Sequence, residues 1–149
     1  DGYHTGFVLD ALYMYQQATG DMQFESHLQR GMDFYRQALF DGAIARHYDN
    51  QTYPIDIQSI SQAIQTFALI PDEYHGDLSW AEQVALWAIE YMQDSSGYFY
   101  FRKTSAGTNK TPLLHWGQAT MLAALTLLAQ RKVNIANQKS TPEILLEAI

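Results

Sequence analysis

The sequence contains no cysteine, so it can form neither disulfide bonds nor a thiol-dependent active site. This absence is typical of a reducing compartment, and we expect a cytoplasmic protein. Charged side chains are also scarce, at 17% of residues, and give a net charge of -7. The negative excess repels nucleic acids and anionic lipids, and no apolar run is long enough to cross a bilayer. We therefore expect neither nucleic acid nor membrane as a partner.

Apolar and aromatic side chains are plentiful instead. The hydrophobic fraction is 47%, and the 149 residues include 10 tyrosines, enough to build one domain core and to leave neutral aromatic rings at the surface. Such a surface suits a neutral or polyhydroxylated ligand. Asp1 opens directly into a dense motif, so we expect the natural N-terminus to lie upstream.

The chain begins with two helices of different character. Residues 6–18 are apolar on nearly every side, which predicts a buried helix. Gly20 is expected to take a left-handed cap, and Asp21 is expected to cap the next helix. A single apolar stripe predicts that this second helix is half exposed. The stripe consists of Phe24, Leu28, Met32, Tyr35 and Leu39.

The same alternation occurs twice more. A helix after Pro54 is predicted to be buried, and Ser79 with Glu82 predicts a capping box for an amphipathic helix that follows it. Pro112 opens a third, nearly all-apolar helix, and Thr141 is expected to start its partner. The sequence thus predicts three helical hairpins.

Equivalent positions recur at a nearly constant interval. Gly6, Ser61 and Gly117 are separated by 55 and 56 residues (61 − 6 and 117 − 61), and Gly42 and Gly97 by 55 (97 − 42). This interval fits one two-helix unit, so the chain is predicted to be a repeat. The repeats run approximately over residues 1–41, 42–96 and 97–149.

Buried and half-exposed helices that alternate at this period are typical of a double-layered ring of helices. We therefore predict an all-α fold, a partial α/α toroid of three helical hairpins, with short β segments in the links at one rim. Residues 43–48 and 98–103 are the expected β segments. An open six-helix bundle or a solenoid would give the same local pattern. Residues 1–149 are predicted to form a single domain, the C-terminal half of a larger toroid.

Three residues are candidates for acid/base chemistry. His4 and His115 each lie two residues before a repeated glycine, at a predicted helix start where the helix dipole favours a neutral imidazole. Asp56 also lies at a helix start and could supply a carboxylate. Each of the three has a simpler interpretation: the histidines could cap or pack against a neighbouring link, and Asp56 could be an N-cap that contributes about 1 kcal/mol.

Aromatic and polar side chains are expected to gather at the same rim and to bind the substrate. Amphipathic rings can stack on sugar C–H groups while polar groups bind the hydroxyls. Phe99 and Phe101 are instead expected to cover the core. No metal and no cofactor are expected, because the histidines lack metal-binding spacing and there is no phosphate-binding loop. The predicted substrate-binding residues are Tyr3, Tyr48, Tyr53, Tyr98, Tyr100, Arg102, Trp116 and Gln118.

Three segments together carry a resemblance to a known family: residues 1–7, 53–58 and 111–121. They resemble the C-terminal half of a largely uncharacterised bacterial α/α-toroid family, similar to six-hairpin glycosidases and encoded among genes for surface-polysaccharide assembly. The likeness covers nearly the whole chain, and residues 111–121 are its most specific part. It implies a six-hairpin toroid with a polar cleft, a scaffold shared by many glycoside hydrolases, polysaccharide lyases and sugar epimerases. It implies no particular catalytic residues.

Two functional hypotheses follow. The first is a carbohydrate-active domain that acts on a bacterial oligosaccharide or polysaccharide intermediate by acid/base chemistry of the hydrolase, lyase or epimerase type. The second is a non-catalytic glycan-binding or assembly scaffold. In both, the partner is a carbohydrate ligand. Because half a ring leaves apolar helix faces at both ends, we also expect contact with a missing N-terminal half of the toroid, or self-association.

Overall fold

The computed structural model describes residues 1–140. Helix predominates, at 64%, as the sequence predicts, and short antiparallel strands lie between the helices. A π-helical segment, Leu114–Ala119, precedes the last helix, and one turn of 3-10 helix spans Asp72–Tyr74. The α-helices are α1 (Gly2–Thr19), α2 (Glu25–Ala38), α3 (Ile57–Leu69), α4 (Leu78–Met92) and α5 (Thr120–Ser140).

The third helix, α3, is the centre of the fold. It packs against α1, α4 and α5, while α2 packs against α1 and α4 also contacts α5. Ile57, Ile60, Ile64 and Phe67 are completely or almost completely buried, as their spacing predicts. Burial of side chains of this size from water contributes about 1.5–3 kcal/mol each, so α3 carries much of the core.

The amphipathic character predicted for α2 is confirmed. Leu28, Met32 and Tyr35 lie in the core together with Leu39, which follows the helix. Tyr35 stacks on Phe67 of α3, with ring centroids 5.6 Å apart and planes at 9°. The apolar stripe of α2 therefore holds this helix against the central one.

The prediction that α1 is buried on nearly every side is wrong. Leu9 and Asp10 are buried, but Phe7, Val8 and Met14 are each more than half exposed. The reason is that, within residues 1–140, helices cover only part of α1, namely the faces towards α2 and α3. In α5, Leu122 is exposed in the same way. Among the helices within residues 1–140, α3 is buried on most of its surface, polar residues included, because it has neighbours on several faces.

Two predicted caps are confirmed and two are wrong. Gly20 ends α1 with φ 72°, a left-handed conformation that glycine adopts at no steric cost. Asp56 is the N-cap of α3 and accepts a hydrogen bond from the Gln58 N–H at 2.9 Å. Asp21, however, accepts from the Gln23 N–H in the preceding turn, and α2 starts after Phe24 without a side-chain cap.

The start of α4 differs from the predicted capping box of Ser79 and Glu82. The N-cap is Asp77, whose Oδ1 accepts from the Trp80 N–H at 2.9 Å. Asp77 also pairs with Arg36 of α2. An aspartate two residues earlier satisfies the free N–H groups of the first turn, so the helix begins before Ser79.

The links contain two small antiparallel sheets. The strand predicted at residues 43–48 is present in part as β2 (Ile44–Ala45), which pairs with β1 (Phe40–Asp41). The 98–103 prediction is shifted, because residues 98–101 form only an isolated bridge from Phe99 to Gln93, and strand structure begins at Arg102. Here the end of α4, rather than a second strand, is the backbone partner of Tyr100. The strands are β1 (Phe40–Asp41), β2 (Ile44–Ala45), β3 (Ile55–Asp56), β4 (Arg102–Thr104) and β5 (Gly107–Asn109).

The third hairpin is described in part. Its first helix is longer than its apolar run, because α5 continues to Ser140. The helix predicted to begin at Thr141 lies outside the described residues.

Candidate functional site

A groove of about 310 Å³ crosses α1, α3 and the π-helical segment near their N-terminal ends. We call it the three-helix groove. It gathers side chains from all three predicted repeats, so its existence depends on how the repeats pack. Its lining residues are Tyr3, Phe7, Ser61, Gln62, Gln65, His115, Ala119, Thr120 and Ala123.

Close packing of α1 on α3 forms one side of this groove. A Cβ on Gly2 would lie 3.5 Å from Ser59 Oγ, and a Cβ on Gly6 would lie 2.7 Å from Gln62 Cγ. Both contacts advance along the two helices in the same direction, so α1 and α3 run parallel and their N-termini lie at one end. Glycine at position 6 lets the helices approach closely enough for Gln62 to reach α1.

One wall of the three-helix groove is aromatic. Tyr3 and Phe7 lie one turn apart on α1, with ring centroids 6.4 Å apart and planes at 22°. Phe7 is 56% exposed. The sequence interpretation assigned Tyr3 to substrate binding but placed Phe7 in the core. The i, i+4 spacing of the two rings was the signal that could have assigned both to one face.

Beneath the groove lies a polar cluster that was not predicted. Asp10 Oδ2 accepts hydrogen bonds from Gln62 Nε2 and from Gln65 Nε2, each at 2.8 Å. Gln62 Nε2 also donates to Thr66 Oγ1 at 3.1 Å. The signal was present in the sequence, because the predicted buried helix after Pro54 carries three polar residues at i, i+3 and i+4, namely Gln62, Gln65 and Thr66.

Asp10 is unusual because it is buried without a cationic partner. Its side chain is 4% exposed, and Oδ1 has no hydrogen-bond partner within residues 1–140. Burial raises the pKa of this carboxyl, and the bonds from Gln65, Thr66 and Gln62 oppose the rise. Nearby, the buried Tyr35 hydroxyl also lacks a partner in this part of the chain. Burial, followed by the charge of Asp10, raises the pKa of Tyr35 far above its usual value.

Asp56 does not line the three-helix groove. It is 2% exposed, and its Oδ2 accepts from Arg102 Nε at 2.8 Å and Arg102 Nη2 at 2.6 Å. Its other oxygen caps α3. The Asp56–Arg102 pair joins the adjacent strands β3 and β4, where the two residues are directly opposite. Both side chains therefore already have intramolecular partners.

His47 lies beside this ion pair. Its Nδ1 is 3.3 Å from Ser59 Oγ, and its ring makes an edge contact with that of Tyr48, with the planes at 73°. Burial lowers the pKa of His47, Asp56 acts in the opposite direction, and Arg102 adds to the lowering. His47 was not among the residues predicted for the site.

His4 faces away from the three-helix groove. Its Nδ1 is 2.8 Å from Asp1 Oδ2, and its backbone N–H donates to the same carboxylate, which caps α1. The imidazole lines a second, largely apolar groove of about 410 Å³ between α1 and α2, with Val8 and His27. We call this the two-helix groove. The structure therefore does not place His4, Asp56 and His115 in one groove; of the three, His115 alone lines the three-helix groove.

The remaining predicted binding residues are spread over the links. Tyr48 and Tyr53 are exposed between β2 and β3. Tyr98 and Tyr100 are half-buried and in edge contact, and the Tyr100 hydroxyl donates to Asp94. Trp116 lies in the π-helical segment and is 55% exposed.

Gln118 has a structural contact rather than a free amide. Its Nε2 donates to the Phe99 carbonyl at 2.8 Å, and its Oε1 accepts from the Phe99 N–H at 2.9 Å. This reciprocal pair fixes the link after α4 to the π-helical segment. Phe99 is buried and Phe101 packs on the core, as predicted.

Comparison with protein-family models, curated proteins and solved structures finds no match. Within residues 1–140, no cluster of three His, Cys, Asp or Glu side chains could hold a metal ion. In the same part of the chain, no helix has both the length and the apolar character needed to cross a membrane.

Proposed function

We propose that the three-helix groove binds a neutral, polyhydroxylated ligand of the oligosaccharide class. The observation that supports this is the combination of an aromatic wall on α1, Tyr3 and Phe7, with the side-chain amides of Gln62 and Gln65 on the adjacent helix α3. None of the lining residues is Asp, Glu, Lys or Arg. Aromatic faces stack on sugar rings, and amides bind hydroxyl groups without requiring a charged ligand.

Of the two hypotheses from the sequence, the geometry favours glycan binding without catalysis. A catalytic acid/base pair needs two groups within reach of one substrate atom. Asp56 is paired with Arg102, and His4 lines the two-helix groove. The binding hypothesis needs only the aromatic rings and amides that already share one groove.

One feature of the three-helix groove supports the acid/base hypothesis. His115 lines the three-helix groove, and a carboxyl with a raised pKa, that of Asp10, lies beneath it. Such a pair could transfer protons to a bound sugar if Asp10 became accessible. Turnover of a bound oligosaccharide that His115→Ala abolishes would favour catalysis, and binding without turnover would favour the scaffold.

We also propose that the described helices are part of an α/α toroid. Four contacts between helices support this: α1, α4 and α5 each pack on α3, and α4 also packs against α5. If these helices form part of a ring, α1 and α5 would each contact another hairpin. Phe7, Val8 and Leu122 are exposed, and further hairpins or a second copy of the chain would cover them. Light scattering that shows only monomers at high concentration would argue against self-association.

A glycan array that includes neutral and acidic oligosaccharides tests the binding proposal. We expect binding to neutral glycans. In calorimetry, Tyr3→Ala and Gln65→Ala should each weaken the interaction by about tenfold, since each removes one stacking or hydrogen-bonding group. Tyr48→Ala is the matched control, because this exposed tyrosine lies outside the groove. Selective binding of acidic glycans, or equal loss in Tyr48→Ala, would contradict the proposal.

A further inference from the structure

The two glutamines at the three-helix groove have their amide groups oriented by a residue below them. Gln62 Nε2 and Gln65 Nε2 both donate to the same oxygen of Asp10, at 2.8 Å each. An ionised carboxylate can only accept hydrogen bonds. A glutamine amide beside it must therefore turn its nitrogen towards Asp10, and the amide oxygen then points elsewhere.

Gln62 is the more constrained of the two. Its Nε2 has two hydrogens, and their acceptors are Asp10 Oδ2 and Thr66 Oγ1. The amide can then offer a ligand only its carbonyl oxygen. Gln65 donates one hydrogen to Asp10 and keeps its carbonyl oxygen and its second hydrogen. Both side chains line the three-helix groove, so acceptors predominate on this side of it.

We propose that Asp10 sets the hydrogen-bonding polarity of the three-helix groove: it holds the Gln62 and Gln65 amides so that carbonyl oxygens face the ligand, and the groove thereby selects ligands that donate hydroxyl hydrogens. Asp10 acts through the glutamines and is a specificity-determining residue that does not touch the ligand. This inference rests on the proposed function for its ligand class, but the orientation of the two amides does not.

The surroundings of Asp10 support this role over one in stability. A buried carboxylate without a cation is costly, because desolvation is compensated only by hydrogen bonds. Asp56, by contrast, is held by Arg102. The groups that form hydrogen bonds with Asp10 are all on α3, and none of them is cationic. The charge of Asp10 therefore acts mainly on the two glutamine amides.

The first test needs no ligand. Side-chain amide signals are recorded by ¹H–¹⁵N NMR while the Asp10 carboxyl is titrated and followed through its ¹³C signal. Two other titratable groups belong to these surroundings: Tyr35 of α2, which the charge of Asp10 affects, and His115, which lines the same groove, so the titration is repeated in His115→Gln. We expect the Gln62 and Gln65 amide signals to shift with the Asp10 midpoint. The Gln16 amide, which contacts Met22 instead, is the internal control. Gln62 and Gln65 amide signals that do not change as Asp10 titrates would overturn the inference.

The second test changes the polarity. Asp10→Asn has the same shape but offers an N–H donor, so the glutamine amides can turn and present nitrogen to the groove. Cellotetraose and maltotetraose are compared with their monodeoxyfluoro derivatives, which lose one hydroxyl donor. In the wild-type protein, loss of the contacting donor should weaken binding by about tenfold, and in Asp10→Asn by clearly less.

The outcomes separate this inference from the proposed function. Identical discrimination by the wild-type protein and Asp10→Asn would overturn the inference while leaving glycan binding intact. Failure of both sugars to bind, together with glutamine signals that follow Asp10, would count against the proposed function but support the amide orientation. Because the NMR titration uses the wild-type protein, it gives a result even if Asp10→Asn does not fold.

Discussion

Gly6 of α1 lies so close to Gln62 of α3 that a Cβ on Gly6 would come within 2.7 Å of Gln62 Cγ. The same Cβ would lie 2.8 Å from the Tyr35 hydroxyl and 3.0 Å from Thr66 Oγ1. The absence of one side chain thus lets three helices meet around the polar cluster below the three-helix groove.

Gly6→Ala should therefore destabilise the protein by about 1–3 kcal/mol, the usual cost of overpacking a core. Gly117 is the matched control, because it is the equivalent glycine of the third predicted repeat. A Cβ there would meet only Ile57 Cγ2, at 3.6 Å, an ordinary contact. Gly117→Ala should leave stability unchanged or raise it by up to about 1 kcal/mol, since alanine favours helix. Chemical denaturation measures both, and equal effects would contradict the packing described for Gly6.

Arg102→Ala should lower the free energy of unfolding by about 2–3 kcal/mol, because it leaves the buried Asp56 carboxylate without its charged donor. The expected loss is at the lower end for buried pairs because Arg102 itself is partly exposed. Lys132→Ala is the control. It removes an exposed partner of Glu82 and should change stability by less than about 1 kcal/mol. Similar losses in the two variants would show that Asp56 does not depend on Arg102.

Gln118→Ala should cost about 1–3 kcal/mol, because the buried Phe99 backbone loses both its hydrogen-bond partners. The exposed Gln130 provides a control on α5, and Gln130→Ala should be close to neutral. Thermal unfolding compares the two. If Gln118→Ala is as stable as the wild-type protein, the contact between Gln118 and Phe99 does not stabilise the fold.

The pH dependence of stability should contain a contribution from Asp10. Its pKa is raised in the folded protein, whereas an aspartate in an unfolded chain has a pKa of about 3.9. The folded state therefore binds the proton more tightly, and the free energy of unfolding falls as pH rises from about 3.9 through the raised pKa.

Asp10→Asn has no titrating carboxyl at this position, so its free energy of unfolding should not show this decrease with pH. The difference in unfolding free energy, variant minus wild type, should increase across this interval and become constant above it. Urea denaturation between about pH 4 and pH 7 measures the difference. A difference that is independent of pH would show that burial does not raise the pKa of Asp10.

The parts of the fold that sequence could predict are those governed by local patterns. The stripe on α2, the left-handed Gly20 and the N-cap Asp56 depend on spacing or on one residue, and all are present. The exposure of Phe7 could not be predicted in this way. It depends on which neighbours cover α1, and apolar periodicity does not reveal the number of neighbours.

The candidate site shows the same division. Tyr3 and His115 were placed near helix starts from the repeat, and both line the three-helix groove. Gln62, Gln65 and Asp10 come from positions 52 and 55 residues apart in sequence, and only the close approach at Gly6 brings them together. Arg102 and Gln118 were predicted to bind the substrate, but both have partners within the protein. The pairing of β3 with β4 brings Arg102 to Asp56, and the link after α4 brings Phe99 to Gln118.

The most direct test of the account is to map a bound oligosaccharide on the protein by NMR. With a neutral glycan selected from the array, the largest chemical-shift changes should occur at Tyr3, Gln65 and His115. Signals from Val8 and His27 in the two-helix groove should stay unchanged. Changes centred on Val8 and His27, or on the exposed Tyr48 and Tyr53, would contradict the claim that the three-helix groove is the ligand site.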